Sequence, residues 1–496
     1  MNSSYSLPDQ FRPSRAYETL GDETGAPFYD PVKAATFPQT IIRYRNDRWA
    51  DAAGLGNLSD DEWIAYFGRF EPLPGSLERP LAVRYHGHQF RGYNPDIGDG
   101  RGFLFAQLKD DAGRLLDLGT KGSGQTPYSR TGDGRLTLKG GVREILATEM
   151  LEALGVYTSK TFSLIETGEE LERNDEPSPT RSAVMVRLGH SHVRFGIFQR
   201  LQFEGNREAI ADLVDYCVAH FDPDLADLDR SEKTVAFFER VIGRSARLCA
   251  HWMAAGFVHG VLNTDNMNVT GESFDYGPWR FLPTMDFSFT AAYFDHTGLY
   301  AYGRQPDAVA WNLAQLGGTL AVYAEEDALN AALKTYSQYF EAGVEDAFFA
   351  RLGVMRPATG GFDMIIALMK WMQESGIPFD DFFFDWFGGN ASEGRAGASQ
   401  HNALYASESF QEWKSGFIAL EPFQAERLDH AYFQRERPVT MVIDEVETIW
   451  AAIADRDDWS LLNAKLKDIA EMRDAHGFDA SSFVAVPRKA ARREEA

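Results

Sequence analysis

Side chains that could bind a metal–nucleotide complex and move a proton lie together in the second half of the chain. Asn266 and the turn Asp275-Tyr276-Gly277 offer an amide oxygen and a carboxylate. These are hard oxygen ligands of the kind found where magnesium or manganese bridges phosphates. Asp265, next to Asn266, offers a carboxylate that could accept the proton of an attacking hydroxyl. The residue types indicate transfer of a phosphorus-containing group.

The spacing follows the catalytic loop of protein kinases with one replacement. Kinases place an aspartate two residues after a histidine, a magnesium-binding asparagine five residues later, and a second metal ligand in Asp-Phe-Gly. His259 and Asn266 keep these places, whereas Val261 occupies the position of the catalytic aspartate. Because valine cannot deprotonate a hydroxyl, the chemistry has either moved, with Asp265 as the nearest carboxylate, or stopped. His259 is expected to organise the loop.

Lys121 and Glu144 lie upstream in the order expected of a nucleotide clamp. Lys121 ends a predicted strand and Glu144 lies in the first turns of the helix predicted after it. In kinases, a strand lysine paired with a helix glutamate holds the phosphates. Either residue alone is more simply interpreted as a solvated surface group. Their occurrence in kinase order with Asn266 and Asp275 favours the clamp.

Glycine-bearing turns and arginines add an anion-binding cradle. Glycine lets backbone N–H groups approach phosphate oxygens closely, and the guanidinium groups of Arg187 and Arg194 suit polyphosphate. Basic groups concentrated in an otherwise acidic chain favour a phosphate site over ordinary hairpin turns. The turns are Gly98-Asp99-Gly100-Arg101, Lys121-Gly122-Ser123-Gly124 and Gly132-Asp133-Gly134-Arg135.

Composition indicates a globular protein that does not bind nucleic acid. The 496 residues are 44% hydrophobic and carry a formal charge of −24, which excludes the signature of disorder and opposes binding to nucleic acid or an anionic membrane. Two cysteines, Cys217 and Cys249, without pairing or metal-binding spacing, predict a reduced compartment. With no signal-peptide or membrane-span pattern recognised, a cytoplasmic location is expected.

Hydrophobic periodicity predicts strands first and helices later. A Gly- and Ser-rich stretch, 388–398, is expected to form a mobile surface loop. The predicted strands are 102–108 and 114–120, joined as a hairpin, with 159–165 and 183–188; the predicted helices are 142–154, 231–256, 307–320 and 327–340.

This order predicts an α+β, bilobal protein-kinase-like fold. Its N-lobe is β-rich with one main helix, and its C-lobe is larger and mostly helical. The chain exceeds the size at which one core keeps growing, which also favours two lobes. The expected divisions are an N-terminal extension packed on the kinase-like core at 1–80, an N-lobe with the nucleotide-binding sheet at 81–195, and a C-lobe with the catalytic loop at 196–496.

From about Pro80 to Leu320 the chain resembles the selenoprotein O family of protein adenylyltransferases, pseudokinases that transfer AMP. The glycine-bearing turns, the 259–267 loop and the turn at Asp275 all take part in the resemblance. Further matching motifs are Gly87-His88-Gln89-Phe90, Tyr93-Asn94-Pro95, Thr126-Pro127-Tyr128-Ser129-Arg130, Arg143-Glu144 and Ser191-His192-Val193-Arg194-Phe195-Gly196. Arg91 departs from the family, which usually has glycine there.

The resemblance implies that ATP binds reversed relative to kinases, so that the α-phosphate faces a Ser, Thr or Tyr hydroxyl of a target protein and pyrophosphate leaves. Asp265 would be the base, and Asn266 and Asp275 would hold magnesium or manganese. Glu144 would support Lys121. The residues implied to bind the nucleotide are Gly98, Gly100, Arg101, Lys121, Asp133, Gly134, Arg187, Arg194 and Asp275.

Three other functions stay open at this stage. An ordinary kinase would transfer the γ-phosphate, and Val261 argues against it. A catalytically inactive nucleotide-binding scaffold explains Val261 but gives no reason for Asp265, Asn266 and Asp275 to occur together. Transfer of UMP with manganese fits equally well, because no residue identified in the sequence recognises the base.

Overall fold

A computed structural model describes residues 10–174, 176–478 and 489, and it is a mixed α/β structure with a large antiparallel sheet and many helices. The strands are β1 (Pro13–Ser14), β2 (Tyr29–Pro31), β3 (Ile41–Arg45), β4 (Leu81–Val83), β5 (Gly87–Gln89), β6 (Gly92–Asn94), β7 (Leu104–Lys109), β8 (Leu115–Lys121), β9 (Leu136–Thr137), β10 (Lys160–Leu171), β11 (Thr180–Gly189), β12 (Phe257–Val258) and β13 (Arg280–Phe281). The α-helices are α1 (Asp47–Ala52), α2 (Asp60–Phe67), α3 (Leu138–Ala153), α4 (Phe195–Phe203), α5 (Arg207–Phe221), α6 (Arg230–Ala254), α7 (Gln305–Leu320), α8 (Glu326–Leu333), α9 (Tyr336–Arg351), α10 (Gly361–Ser375), α11 (Phe379–Trp386), α12 (Glu393–Ala398), α13 (Glu408–Phe417), α14 (Ile443–Arg456) and α15 (Ser460–His476).

The main sheet has nine strands in the order β2-β4-β7-β8-β11-β10-β3, with β1 paired to β7 and β9 to β11. The predicted hairpin is confirmed as β7 and β8, which pair antiparallel. In the pairing of β8 with β11, Lys121 lies opposite Met185 and Arg187 lies opposite Gly119. Because alternate residues of a strand share a face, Lys121 and Arg187 project from the same side of the sheet.

Each face of the sheet is covered by helices from a different part of the chain. Val184 and Val186 on β11 pack in one cluster with the buried Trp63 of α2, so a segment near the N-terminus covers this face. Met185, between them, belongs to the cluster on the opposite face, where α3 packs against β10 and β11. The alternation explains why the central strands are apolar on both sides.

Helix α3 is the helix predicted for 142–154, and it begins four residues earlier. The hydroxyl of Thr137 accepts the N–H of Gly140 at 3.1 Å, capping the first turn. The buried stripe of the helix includes Ile145 and Met150. Behind it, Arg473 of α15 forms an ion pair with Glu149, which also accepts the Tyr44 hydroxyl at 2.9 Å. Helix α3 is therefore held between the sheet and the C-terminal helices.

The helical predictions after residue 195 are partly right. Helices α6 and α7 confirm 231–256 and 307–320 within a few residues. The single helix expected for 327–340 is wrong, because Lys334 and Thr335 form a turn between α8 and α9, where the Thr335 hydroxyl donates to the carbonyl of Ala332. Both helices bury apolar side chains, so the helical spacing of apolar residues continues across the turn and does not reveal the break.

The expectation of a mobile loop at 388–398 is wrong. The segment forms a 3₁₀ turn, Gly389–Ser392, followed by α12. Ser392 and Ala396 are buried, and Arg395 donates to the carbonyl of Phe387 at 2.8 Å. Gly388, at φ of 92°, supplies a left-handed turn before the helix.

Cys217 and Cys249 are free and buried in α5 and α6, and burial raises the pKa of both thiols. Within the described ranges, no helix combines the length and apolar character required to cross a membrane.

Replacing Trp63 with alanine should destabilise the protein by about 3–5 kcal/mol. The ring is fully buried, stacks on Phe162 at 5.0 Å and donates its indole N–H to Ser163 at 2.9 Å. The free energy of unfolding can be measured by urea titration with far-ultraviolet circular dichroism. Leu461→Ala, at a side chain that is 42% exposed, is the control and should change it by less than about 0.5 kcal/mol. Equal losses in both variants would contradict the packing described here.

Candidate active site

Ten of the twelve predicted site residues line a single cleft of about 690 Å³. The cleft is formed by the end of β8, by β11, by the glycine-bearing turns and by the segment 265–275. Glu144 and Asn266 adjoin this lining through Lys121 and Asp265. The ten lining residues are Gly98, Gly100, Arg101, Lys121, Asp133, Gly134, Arg187, Arg194, Asp265 and Asp275.

Lys121 connects the sheet, α3 and the acidic turn. Its ammonium donates to a carboxylate oxygen of Glu144, and to Oδ1 of Asp275 at 2.8 Å. The same Asp275 oxygen accepts from the Arg187 guanidinium at 3.2 Å. Glu144 is 1% exposed, so its charge stays paired with the lysine away from water. The Lys121–Glu144 pair predicted from the sequence is thus present.

Arg194 lies on the floor of the cleft between two aromatic rings. Its guanidinium is 4.7 Å from the ring centre of Tyr85 and 4.8 Å from that of Phe274. It donates to the backbone carbonyl of Asp265 at 3.1 Å and lies 3.5 Å from Oδ1 of Asp99. Aromatic faces and a buried carboxylate hold the cation in a fixed position where an anion can reach it.

Asp275 is held ionised by the cations around it. Burial opposes its ionisation, but Lys121, Arg187, Arg194 and Arg101 together keep its pKa well below the ordinary value. Its backbone has a φ of 63°, a left-handed conformation that is uncommon for a residue other than glycine. This conformation belongs to the turn that brings the carboxylate to Lys121.

Asp265 has the opposite electrostatic character. Burial raises its pKa to about 6, with Arg194 opposing the shift. Its Oδ1 is buried without a hydrogen-bond partner. Gly87 of β5 packs so closely that a Cβ atom there would lie 2.8 Å from this oxygen. The neighbouring Thr264 accepts the N–H of His88 and donates to Gln199. A rigid, partly desolvated carboxyl that titrates near neutral pH is suited to proton transfer.

Asn266 and Asp275 fit a divalent metal by the chemistry of their donors. Asn266 donates its amide N–H to the carbonyl of Val261 at 3.0 Å, which leaves its side-chain oxygen as the free acceptor. Within residues 10–174 and 176–478, no grouping of three or more His, Cys, Asp or Glu side chains could form an all-protein metal site. One amide and one carboxylate oxygen suit magnesium or manganese that keeps waters and phosphate oxygens as further ligands.

His259 supports the loop, as expected from the sequence. Its Nε2–H donates to the carbonyl of Phe274 at 3.0 Å, and its backbone N–H donates to Gln305 at 3.0 Å. Burial lowers the pKa of the imidazole, which favours the neutral form. The histidine therefore ties the catalytic loop to the residue that precedes Asp275.

Two of the predicted phosphate-cradle positions have additional structural explanations. A Cβ atom on Gly98 would lie 2.5 Å from the Tyr128 ring, so glycine is needed here for packing against the segment 126–129. Asp133 forms a two-point ion pair with Arg173 at 2.8 and 3.1 Å. The carboxylate of Asp133 is thus directed toward Arg173 at the outer part of the cleft.

Sequence reasoning missed four groups that shape the cleft. Tyr85, Phe274 and Gly87 contact Arg194 or Asp265, and Arg173 pairs with Asp133. Gly87 carried a signal, because it begins one of the motifs that matched the family. Arg173 follows a strand in an acidic, proline-bearing loop, where no spacing rule distinguishes it from a surface arginine.

Comparison with known proteins shows the family to which the chain belongs. The family model described as protein adenylyltransferase SelO matches residues 12–470. A protein nucleotidyltransferase YdiU from Synechocystis sp. is 42% identical over 90% of this chain and 95% of its own length. A protein of the same name from Trichormus variabilis is 46% identical over 74% of this chain and 76% of its own length. Another from Myxococcus xanthus is 34% identical over 86% of each chain. The chain therefore belongs to the protein adenylyltransferase SelO family and is a nucleotidyltransferase.

Proposed function

We propose that this nucleotidyltransferase moves AMP from ATP to Ser, Thr or Tyr hydroxyls of proteins. The observation that carries the proposal is the pair of positions 261 and 265. Val261 replaces the kinase base, while Asp265 stands in the same loop with an unpartnered carboxylate oxygen and a pKa raised by burial to about 6. Asp265 can therefore supply the base that Val261 lacks, and attack at the α-phosphorus follows from the nucleotidyl transfer for which the family is named.

The distribution of charge supports an ATP molecule bound in the reverse of the kinase orientation. Lys121, Arg187 and Arg194 are each no more than 7% exposed and lie where the floor of the cleft meets Asp275. Buried cations stabilise the most highly charged part of the nucleotide, which is the β- and γ-phosphates. With these phosphates deep in the cleft, the nucleoside lies toward its outer part and the α-phosphate is exposed to an acceptor.

The proposed step is a displacement at the α-phosphorus. The acceptor oxygen forms a bond to this phosphorus as its proton passes to Asp265. The bond between the α-phosphorus and the oxygen that bridges to the β-phosphorus breaks, and pyrophosphate leaves. The guanidinium groups of Arg187 and Arg194 and the ammonium of Lys121 stabilise the charge that develops on the leaving group. Proton acceptance by a positioned carboxylate contributes roughly 10²–10⁴ in rate.

Asn266 and Asp275 are proposed to hold magnesium or manganese. When bound, the metal would neutralise phosphate charge and orient the triphosphate. Lys121 and Arg187 keep the Asp275 carboxylate ionised, as a metal ligand requires. Glu144 fixes the ammonium of Lys121 from the side of α3.

We also propose that the architecture is bilobal and kinase-like, with divisions at 1–80, 81–195 and 196–496. The main sheet and α3 precede residue 190, and helices predominate from α4 onward. The Lys121–Glu144 pair and the loop from 259 to 275 meet at the cleft. The first division would not be a separate unit, because β1, β2 and β3 are strands of the main sheet.

Label from ATP carrying ³²P at the α-phosphate should be incorporated into acceptor proteins, and label at the γ-phosphate should not. Incorporation is measured on denaturing gels with purified protein and divalent metal. Transfer of the γ label instead would identify a kinase. If neither label is incorporated but ATP binds saturably, the protein is a nucleotide-binding scaffold without catalysis. A parallel reaction with α-labelled UTP tests UMP transfer, and incorporation from UTP in place of ATP would identify the protein as a UMP transferase.

In the same assay, Asp275→Asn should abolish incorporation, since the variant loses both a metal ligand and the ion-pair partner of Lys121. Asp286→Asn is the matched control. Asp286 forms a local turn, in which its carboxylate accepts the backbone N–H of Ser288 at 2.8 Å. The Asp286→Asn variant should therefore retain wild-type activity. Normal transfer by Asp275→Asn would remove this residue from the proposed site.

Transfer by the wild type should lose activity below a pH of about 6, the pKa of Asp265. A base acts only when it is ionised, so the rate should fall about tenfold for each pH unit below this value. Asp265→Asn should retain ATP binding, lose roughly 10²–10⁴ in rate and lose this acidic limb. Rates are compared between pH 5 and 8, with ATP affinity measured by calorimetry. An unchanged acidic limb in the variant would exclude Asp265 as the base.

Gly87→Ala should reduce transfer about 10- to 100-fold while ATP affinity is retained, because small misplacements of reacting groups are costly. The added Cβ would lie 2.8 Å from Oδ1 and 3.1 Å from Cβ of Asp265. Gly92→Ala, in the partner strand of the same hairpin, is the control, since its nearest contact is 3.4 Å. If the two alanine variants behave alike, the close approach of Gly87 has no part in positioning the base.

A further inference from the structure

We propose that an aromatic ledge beside the catalytic loop binds an apolar side chain of the acceptor protein. We define the ledge as Phe90, Tyr293 and Phe294. The bound segment would be extended, with this apolar side chain two to four residues from the modified hydroxyl. The inference rests on the proposed protein-modifying function and specifies how that function selects its substrate.

The ledge is a contiguous exposed apolar surface. Phe90, Tyr293 and Phe294 are 39%, 80% and 42% exposed. The ring centres of Phe90 and Phe294 are 5.8 Å apart, and those of Tyr293 and Phe294 are 5.1 Å apart. Tyr293 also lines a broad groove of about 840 Å³. Solvent-exposed aromatic rings that pack on one another, rather than occurring singly, mark a surface for a partner.

Phe90, at one end of the ledge, is hydrogen-bonded to the loop that carries Asp265. The backbone N–H of Phe90 donates to the side-chain oxygen of Asn263 at 3.1 Å, and the hydroxyl of Tyr300 donates to the same oxygen at 2.9 Å. The Phe90 ring packs 5.0 Å from that of Tyr300. Asn263 precedes Asp265 by two residues, so Phe90 is anchored close to the base.

The backbone at the tip of the β5–β6 hairpin is strained. Phe90 and Arg91 have φ angles of 49° and 64°. Left-handed conformations cost a bulky residue energy that glycine would avoid. The arginine at 91, where the sequence comparison expected glycine, therefore keeps a glycine-like backbone and adds a cation.

Distances along the chain set the spacing of the recognised side chain. Gly87 contacts the Asp265 carboxylate, and Phe90 follows three residues later in the same hairpin, so Phe90 lies within about 10 Å of the base at strand geometry. The acceptor hydroxyl must approach Asp265 to hydrogen-bond distance. At about 3.3 Å per residue, an extended acceptor chain brings the side chain two to four residues away onto the ledge.

The charges around the ledge favour a protein segment over a second copy of this acidic chain. Arg91 stacks on Trp311, with 5.5 Å between the guanidinium carbon and the ring centre. Arg304 donates to the carbonyl of Thr297 at 3.1 Å. In the part of the chain that the structure describes, no carboxylate forms an ion pair with either arginine. The chain carries a net charge of −24, which repels a second copy as a whole. The two arginines would still attract acidic groups that flank the apolar side chain in a short segment.

The test compares the sites modified by wild type and by Phe294→Ala and Tyr293→Ala. The probe is a peptide library made by proteolysis of a bacterial lysate, incubated with ATP and metal, with modified positions mapped by mass spectrometry. Phe423→Ala is the control, because Phe423 is 49% exposed and lies beside Gly353, away from the loop. Calorimetric ATP affinity and circular dichroism should be unchanged in every variant.

The wild type and Phe423→Ala should modify peptides enriched in apolar residues at one fixed offset between two and four residues from the hydroxyl. The ledge variants should lose this enrichment and at least tenfold in the rate of peptide labelling. A wild-type set of sites without enrichment, enrichment retained in both ledge variants, or labelling confined to folded proteins would each overturn the ledge while leaving nucleotidyl transfer intact. No modification of any peptide or protein by the wild type would instead overturn the proposed function, and the ledge with it.

Discussion

The cleft depends on one constraint, which is that two buried cations share a single carboxylate. Lys121 and Arg187 both contact Oδ1 of Asp275, and neither cation could remain buried beside the other without a negative charge between them. The sheet register places Lys121 and Arg187 on one face, and the turn at Asp275 brings the compensating charge from a distant part of the chain. A bound triphosphate would supply further negative charge at the same point.

The two aspartates of the cleft show how environment separates functions. Asp275 is surrounded by cations and stays ionised, whereas Asp265 is buried against Gly87 and its pKa moves toward neutrality. The positive charge of Arg194, which lies between Tyr85 and Phe274, lowers the pKa of both carboxyl groups. One carboxylate is therefore suited to hold a cation and the other to exchange a proton, although they lie close together in the sequence.

The sequence allowed the central strands and α3 to be predicted, because these depend on local rules. The family's motifs pointed to residues of which ten line one cleft. Short apolar runs located β8 and β11, and the order of Lys121, Glu144, Asn266 and Asp275 pointed to residues that lie in or beside the cleft. Features set by distant contacts were not accessible. The break at Thr335 lies inside a continuous apolar pattern, and the order in 388–398 depends on burial of Ser392 and Ala396. Gly87 matters because Asp265, far along the chain, packs against it.

The ion pair between Arg473 and Glu149 joins residues 324 positions apart. Helix α15 covers α3, which carries the glutamate that pairs with Lys121. A ribosome adds about 5–20 residues per second, so tens of seconds pass between synthesis of α3 and of the helix that braces it. The residues that line the cleft, all before 276, are thus synthesised well before the helix that braces α3.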